Sequence, residues 1–149
     1  MVVHPNTRES TCELCATPGG EVLWQDERCR VVRVGGGEGE AFPGFCRVVW
    51  NAHVRELSDL EPAARQRLLE VVTATESAVR TAVRPDKINL ASLGNLVPHL
   101  HWHVIPRWAD DSHFPAPIWA AAARPAPARA QPASAALSAA LQAALGAPP

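Results

Sequence analysis

A chain of 149 residues, 47% of them hydrophobic, is long enough for one well-packed domain and short of two. Its formal net charge of −1 excludes the broad basic field of a non-specific nucleic-acid binder, so a phosphate-bearing ligand would need a few locally placed donors. No run of about 18 apolar residues occurs, which excludes a membrane-spanning helix. Residues 1–11 read as a polar lead without the apolar core of a signal peptide, and a cytoplasmic chain is expected. Four cysteines are then thiols or metal ligands rather than disulfides. Cys12 and Cys15 form a CxxC pair, whereas Cys29 and Cys46 are expected to be small core residues.

Residues 21–25 and 30–34 read as two strands of a hairpin, with Asp26-Glu27-Arg28 as its turn. The glycine-rich stretch 35–39 is expected to be a loop, because no Lys-Ser/Thr follows it and no helix is expected to open after it. Phe42-Pro43-Gly44-Phe45 turns into a strand over 46–50. Helix begins near Ser58-Asp59-Leu60, with Pro62 at a first helical position. Leu68, Leu69, Val72, Thr75, Val79 and Val83 make one buried stripe on a long helix that Arg84-Pro85 stops. Another strand covers 87–91, and Ser92-Leu93-Gly94-Asn95 is a turn.

The densest signal is His99-Leu100-His101-Trp102-His103-Val104-Ile105-Pro106-Arg107, which holds three of the six histidines. A strand sends alternate side chains to opposite faces, so the three imidazoles would share one side while Leu100, Trp102 and Val104 enter a core. Pro106 is expected to end the pairing, having no N–H to give. Hairpin strands around one long helix predict an α+β domain on an antiparallel sheet. Residues 120–149 hold 15 alanines and five prolines and are expected to be a mostly disordered tail. Within them Leu137, Leu141 and Leu145 keep helical spacing, the alternative being a short docked helix.

The segment His99–Ile105, with Asn89, Gly94-Asn95-Leu96-Val97-Pro98 before it and Pro106-Arg107 after it, resembles the HφHφHφφ motif of the histidine triad (HIT) family. Phe42-Pro43-Gly44-Phe45 and Trp50-Asn51-Ala52-His53-Val54 resemble the family's upstream segment, and the likeness covers about residues 12–119. It is strongest for bacterial members described as diadenosine tetraphosphate hydrolase-like. The resemblance implies a five-stranded antiparallel sheet with one long helix, usually paired as a homodimer. It implies a nucleotide hydrolase or transferase that cleaves a phosphoanhydride or phosphoramidate at the α-phosphate, with a dinucleoside polyphosphate the favoured substrate.

In that likeness His101 is the nucleophile, its second ring nitrogen held by the carbonyl of His99, and His103 serves the phosphate oxygens and leaving group. Asn89 and Asn95 match polar nucleotide-site positions, although Asn95 equally suits a left-handed turn beside Gly94. Leu96 stands where some relatives carry a hydroxyl, so that contribution to acid catalysis does not transfer. The likeness also implies structural zinc on Cys12, Cys15, His53 and His99, a complete tetrahedral set. Two other readings stay open: a non-catalytic nucleotide-binding adaptor, and a metal held jointly by His99, His101 and His103. The last is disfavoured because successive side chains on one strand face stand about 6.5–7 Å apart.

Overall fold

The computed structural model of the chain describes residues 8–147. Its elements run α1 (Glu13–Ala16), β1 (Glu21–Gln25), β2 (Cys29–Arg33), α2 (Gly36–Ala41), β3 (Cys46–Trp50), α3 (Pro62–Val83), β4 (Lys87–Ala91), β5 (His101–Arg107) and α4 (Ser134–Leu145). The five strands form one antiparallel sheet in the order β1-β2-β3-β5-β4. The hairpin forms where the turn residues demand it, with Asp26 Oδ1 accepting from the amides of Arg28 and Cys29, each at 2.8 Å.

Helix α3 covers one face of the sheet. Leu68, Val71, Val72, Thr75, Ala78 and Val79 are its buried residues, and they join Val31, Val48, Leu100 and Val104 in the main core. Of the expected stripe Leu68, Val72, Thr75 and Val79 are buried, whereas Leu69 is 43% exposed and Val83 only partly buried; Val71 and Ala78 take inward places instead. Arg84 ends the helix in a left-handed conformation, φ 47°, directly before Pro85. Among the described residues no helix is long and apolar enough to cross a membrane.

Three expectations need correction. First, β5 starts at His101, not His99, and continues through Pro106 to Arg107. Pairing with β3 stops at Val104, but β4 pairs through Arg107, so Pro106 limits the ladder on one side only.

Second, the glycine stretch is not all loop, for Gly36–Ala41 form the short helix α2. Gly36 takes φ +66° at its start, and a Cβ on Gly39 would stand 2.2 Å from the Val34 carbonyl oxygen. Only glycine lets the helix sit that close to β2.

Third, residues 134–145 are helix, with Leu137 and Leu141 each 1% exposed against α3 and β1. Alanine is the best helix former, and two leucines at i and i+4 give the segment the stripe it needs to dock. Polar contacts reinforce it: Trp24 Nε1 donates to the Gly146 carbonyl at 2.9 Å, and Arg33 donates to the Pro132 carbonyl at 2.7 Å and to Ser134 Oγ at 2.9 Å. Residues 120–133 carry no helix or strand.

Burial of this kind is worth about 1.5–3 kcal/mol per leucine, and truncation adds the cost of a cavity. Leu137→Ala and Leu141→Ala are each expected to lower the unfolding free energy by about 2–4 kcal/mol in urea titrations. Gln142→Ala, on the exposed side of the same helix, is expected to change it by less than about 0.5 kcal/mol. A tail free of the core would leave all three variants at wild-type stability.

Candidate functional site

Two neighbouring strands build the site. In the β3–β5 register Arg47 lies opposite His103 and Val49 opposite His101. Val48 and Val104, one step along, belong to the core under α3, so the histidines and Arg47 occupy the other face of the sheet. There His101 and His103 line a cleft of about 330 Å³ with Arg47, Glu38, Asn95 and Trp119. The His103 ring stands edge to face with His101, Phe45 and Trp119, its centroid 4.9, 5.9 and 5.0 Å from theirs. Both histidines are buried, at 7% and 6% exposure.

His101 has a defined tautomer. Its Nδ1 is 2.5 Å from the carbonyl oxygen of His99. A carbonyl can only accept, so Nδ1 carries the proton and Nε2 holds the lone pair. Burial pushes the His101 pKa down, opposed by the bond to His99 and assisted by the charge on Arg47. The same burial, with His101 and Arg47 adding to it, pushes His103 down to about 3. Both rings are therefore neutral near pH 7.

His99 does not share their cleft. It is fully buried, and its ring turns to the N-terminal cysteines, with Nδ1 3.3 Å from Cys12 Sγ and 3.5 Å from Cys15 Sγ. His53 Nδ1 lies 3.4 Å from Cys15 Sγ. The four ligand atoms fall within 4.8 Å of one another. Coordination by sulfur at about 2.3 Å and nitrogen at about 2.1 Å puts neighbouring atoms of a tetrahedron about 3.5 Å apart.

The second nitrogen of each ring is engaged as a metal ligand's should be: His99 Nε2 donates to the Trp50 carbonyl at 2.5 Å, and His53 Nε2 to Glu9 at 2.9 Å. Burial pushes the Cys15 thiol up, with the Glu9 amide opposing, so taking up a cation here releases protons. The donor set and spacing are compatible with a metal site, and neither His101 nor His103 belongs to it.

Arg30 on β2 fixes the cysteine segment by donating to the carbonyls of Leu14, Thr17 and Pro18 and to Asn51 Oδ1. Nothing in its spacing distinguishes it from a surface arginine. Cys29 and Cys46 are core residues as expected, their thiols pushed up to about 12, chiefly by burial.

The polar candidates separate. Asn95 lines the cleft, and the left-handed conformation in that turn belongs to Gly94, φ +72°, not to Asn95. Asn89 lies outside the cleft lining, and its Oδ1 accepts from Arg107 Nη1 at 2.7 Å. Arg107 forms a buried two-point ion pair with Asp111, at 2.8 and 3.1 Å. Burial alone would raise Asp111, but Arg107 and the amides of His113, Trp108 and Phe114 hold it near 2. This knot shapes the loop that leads to Trp119. Arg47 and Trp119 were missed as site residues, though Arg47 sits at a sheet position alternating with Cys46 and Val48, a placement that could have shown its face.

A family model described as HIT domain matches residues 21–110, and the chain belongs to that family. A Mycobacterium tuberculosis protein named AP-4-A phosphorylase is 32% identical over 78 residues, covering 48% of this chain and 40% of its own length. The chain thus matches less than half the length of that relative. A crystal structure of a histidine triad protein from Marinobacter aquaeolei is similar at a TM-score of 0.67 and 28% identity, covering 91% of this chain and 95% of that one. A histidine triad protein from Sinorhizobium meliloti shares the fold at a TM-score of 0.65 and 23% identity, covering 86% and 91%.

The low pKa of His103 has a sign that stability reports. Its ring is neutral when folded but takes a proton near 6.5 when unfolded, so its contribution is present above 6.5 and lost as pH falls toward 3. Between pH 7 and pH 5 the wild type is expected to lose about 1–2 kcal/mol more unfolding free energy than His103→Phe, measured by urea denaturation. Equal losses in both proteins would show that His103 titrates normally.

Proposed function

We propose that the chain is a nucleotide hydrolase or nucleotidyl transferase that works through a nucleotidyl-histidine on His101. One observation carries the reading: His101 Nδ1 is tied to the His99 carbonyl at 2.5 Å, which leaves Nε2 as a neutral, oriented nucleophile on the cleft. A neutral imidazole approaches a negatively charged phosphorus without the repulsion a carboxylate would meet.

Nε2 attacks the α-phosphorus and forms a P–N bond. The bond to the bridging atom breaks, and its electron pair leaves with the departing group, which is protonated by solvent. Water then attacks the same phosphorus and gives up a proton to solvent, the P–N bond breaks, and the electron pair returns to Nε2. His103 is the donor to the phosphate oxygens and leaving group, and Asn95 supplies a further uncharged donor at the cleft. A dinucleoside polyphosphate is the favoured substrate class. The name of the mycobacterial relative supports a second reading of the last step, in which inorganic phosphate replaces water as acceptor.

Zinc is the metal that two thiolates and two imidazoles suit, held by Cys12, Cys15, His53 and His99. With four protein ligands it would cross-link the N-terminal segment to His53 and to His99, two residues before β5, and leave no position for substrate. The purified protein is expected to carry about one zinc per chain. Replacing both Cys12 and Cys15 by serine is expected to remove the zinc and lower Tm by about 5–10 °C. A metal-free wild type of unchanged Tm would contradict this.

The catalytic reading is tested with diadenosine tetraphosphate, with and without inorganic phosphate. Rapid quenching and mass spectrometry are expected to find an adenylyl adduct on His101, and the acceptor that speeds its loss identifies the resolving step. His101→Ala is expected to lower kcat by at least about a thousandfold while nucleotide binding stays measurable. Binding with neither adduct nor turnover in the wild type would leave a nucleotide-binding adaptor instead.

A further inference from the structure

Four arginines lie on the sheet, two buried and two partly buried, and all but one are engaged: Arg33 donates to the Pro132 carbonyl, Ser134 and Gln131. Arg30 and Arg107 each make four side-chain hydrogen bonds. Arg47 makes none to any described residue, and its Nε is shut off from solvent without a partner. The nearest carboxylate, Glu38, stands 3.8 Å from Nη2, beyond hydrogen-bond reach, and is itself half exposed. The guanidinium rests over the Phe45 ring, 5.7 Å from its centroid, and lines the cleft beside His101 and His103. With 26% of its side chain exposed and only this loose ion pair, the guanidinium keeps unused N–H donors that an anion in the cleft can meet.

We propose that Arg47 is the binding residue for a second phosphate, the one next to the phosphorus that His101 attacks, and that it makes the cleft selective for polyphosphate chains. This rests on the function proposed above and names the part of the substrate that decides specificity. Directly opposed residues on neighbouring antiparallel strands have Cβ atoms about 5 Å apart, so Arg47 and His103 project into the cleft side by side. His103 serves the attacked group, and the longer arginine stem carries its fork past it. A planar fork of N–H donors matches two phosphate oxygens at once, and its charge persists at every working pH. A guanidinium lining the cleft is a fixed positive charge in this wall. Glu38 is then a loose counter-ion that a phosphate replaces. A phosphoramidate, with one phosphate and an uncharged amine, gives Arg47 nothing further to hold.

The test compares diadenosine tetraphosphate with adenosine 5′-phosphoramidate, each titrated calorimetrically into His101→Ala protein with and without Arg47→Gln. Arg47→Gln is expected to weaken the tetraphosphate by about 10- to 100-fold and the phosphoramidate by less than about threefold. Arg47→Lys, which keeps the charge but not the fork, is expected to fall between, and it decides the matter if the glutamine variant does not fold. Equal weakening of both ligands, or of neither, would overturn the assignment. Failure of the wild type to form an adduct would overturn the catalytic reading alone, because these affinities are measured without turnover.

Discussion

The hydrogen bond from His101 Nδ1 to the His99 carbonyl is the contact on which the site depends. It chooses the tautomer, and the tautomer decides which nitrogen can act. The residue that supplies the carbonyl is itself fixed from two sides: its ring meets the Cys12 and Cys15 sulfurs at Nδ1 and the Trp50 carbonyl at Nε2. His99 can do this because it lies just outside β5, where its side chain need not follow the strand alternation that places His101 and His103 together. One stretch of backbone therefore joins a metal-type cluster to the cleft.

The cleft itself separates two electrostatic jobs. Burial holds its histidines neutral, which suits attack on phosphorus, whereas the permanent charge lies on Arg47. Putting both properties on imidazoles would be self-defeating, since a protonated ring has no lone pair to give. The sheet keeps the two apart yet adjacent by placing them on opposed residues of β3 and β5. At the far end of β5, Arg107 and Asp111 neutralise each other in a dry ion pair outside the cleft lining.

Most of the fold was legible because its signals are local. Short apolar runs between turn residues marked the strands, Pro62 and Arg84-Pro85 marked both ends of α3, and three histidines in five residues marked the candidate site. What was not legible depends on fit. Ala-rich composition argued for disorder over 120–149, but two leucines at helical spacing suffice when a groove between α3 and β1 already exists. Glycine's tolerance hid α2, whose close approach to Val34 is visible only in three dimensions. Asn89 showed its strand but not its partner, since Arg107 lies 18 residues away. Arg47 was overlooked because an arginine that lacks hydrogen-bond partners looks, in one dimension, like any other.

The central claim is that His101 presents an unprotonated Nε2 because the His99 carbonyl holds the proton on Nδ1. Nitrogen-15 NMR of the histidine-labelled protein at pH 7, with His101 assigned through its His101→Ala variant, tests this directly. The account predicts a neutral ring with Nδ1 protonated and Nε2 showing the shift of a bare imine nitrogen. A His101 ring protonated on Nε2, or on both nitrogens, would contradict it.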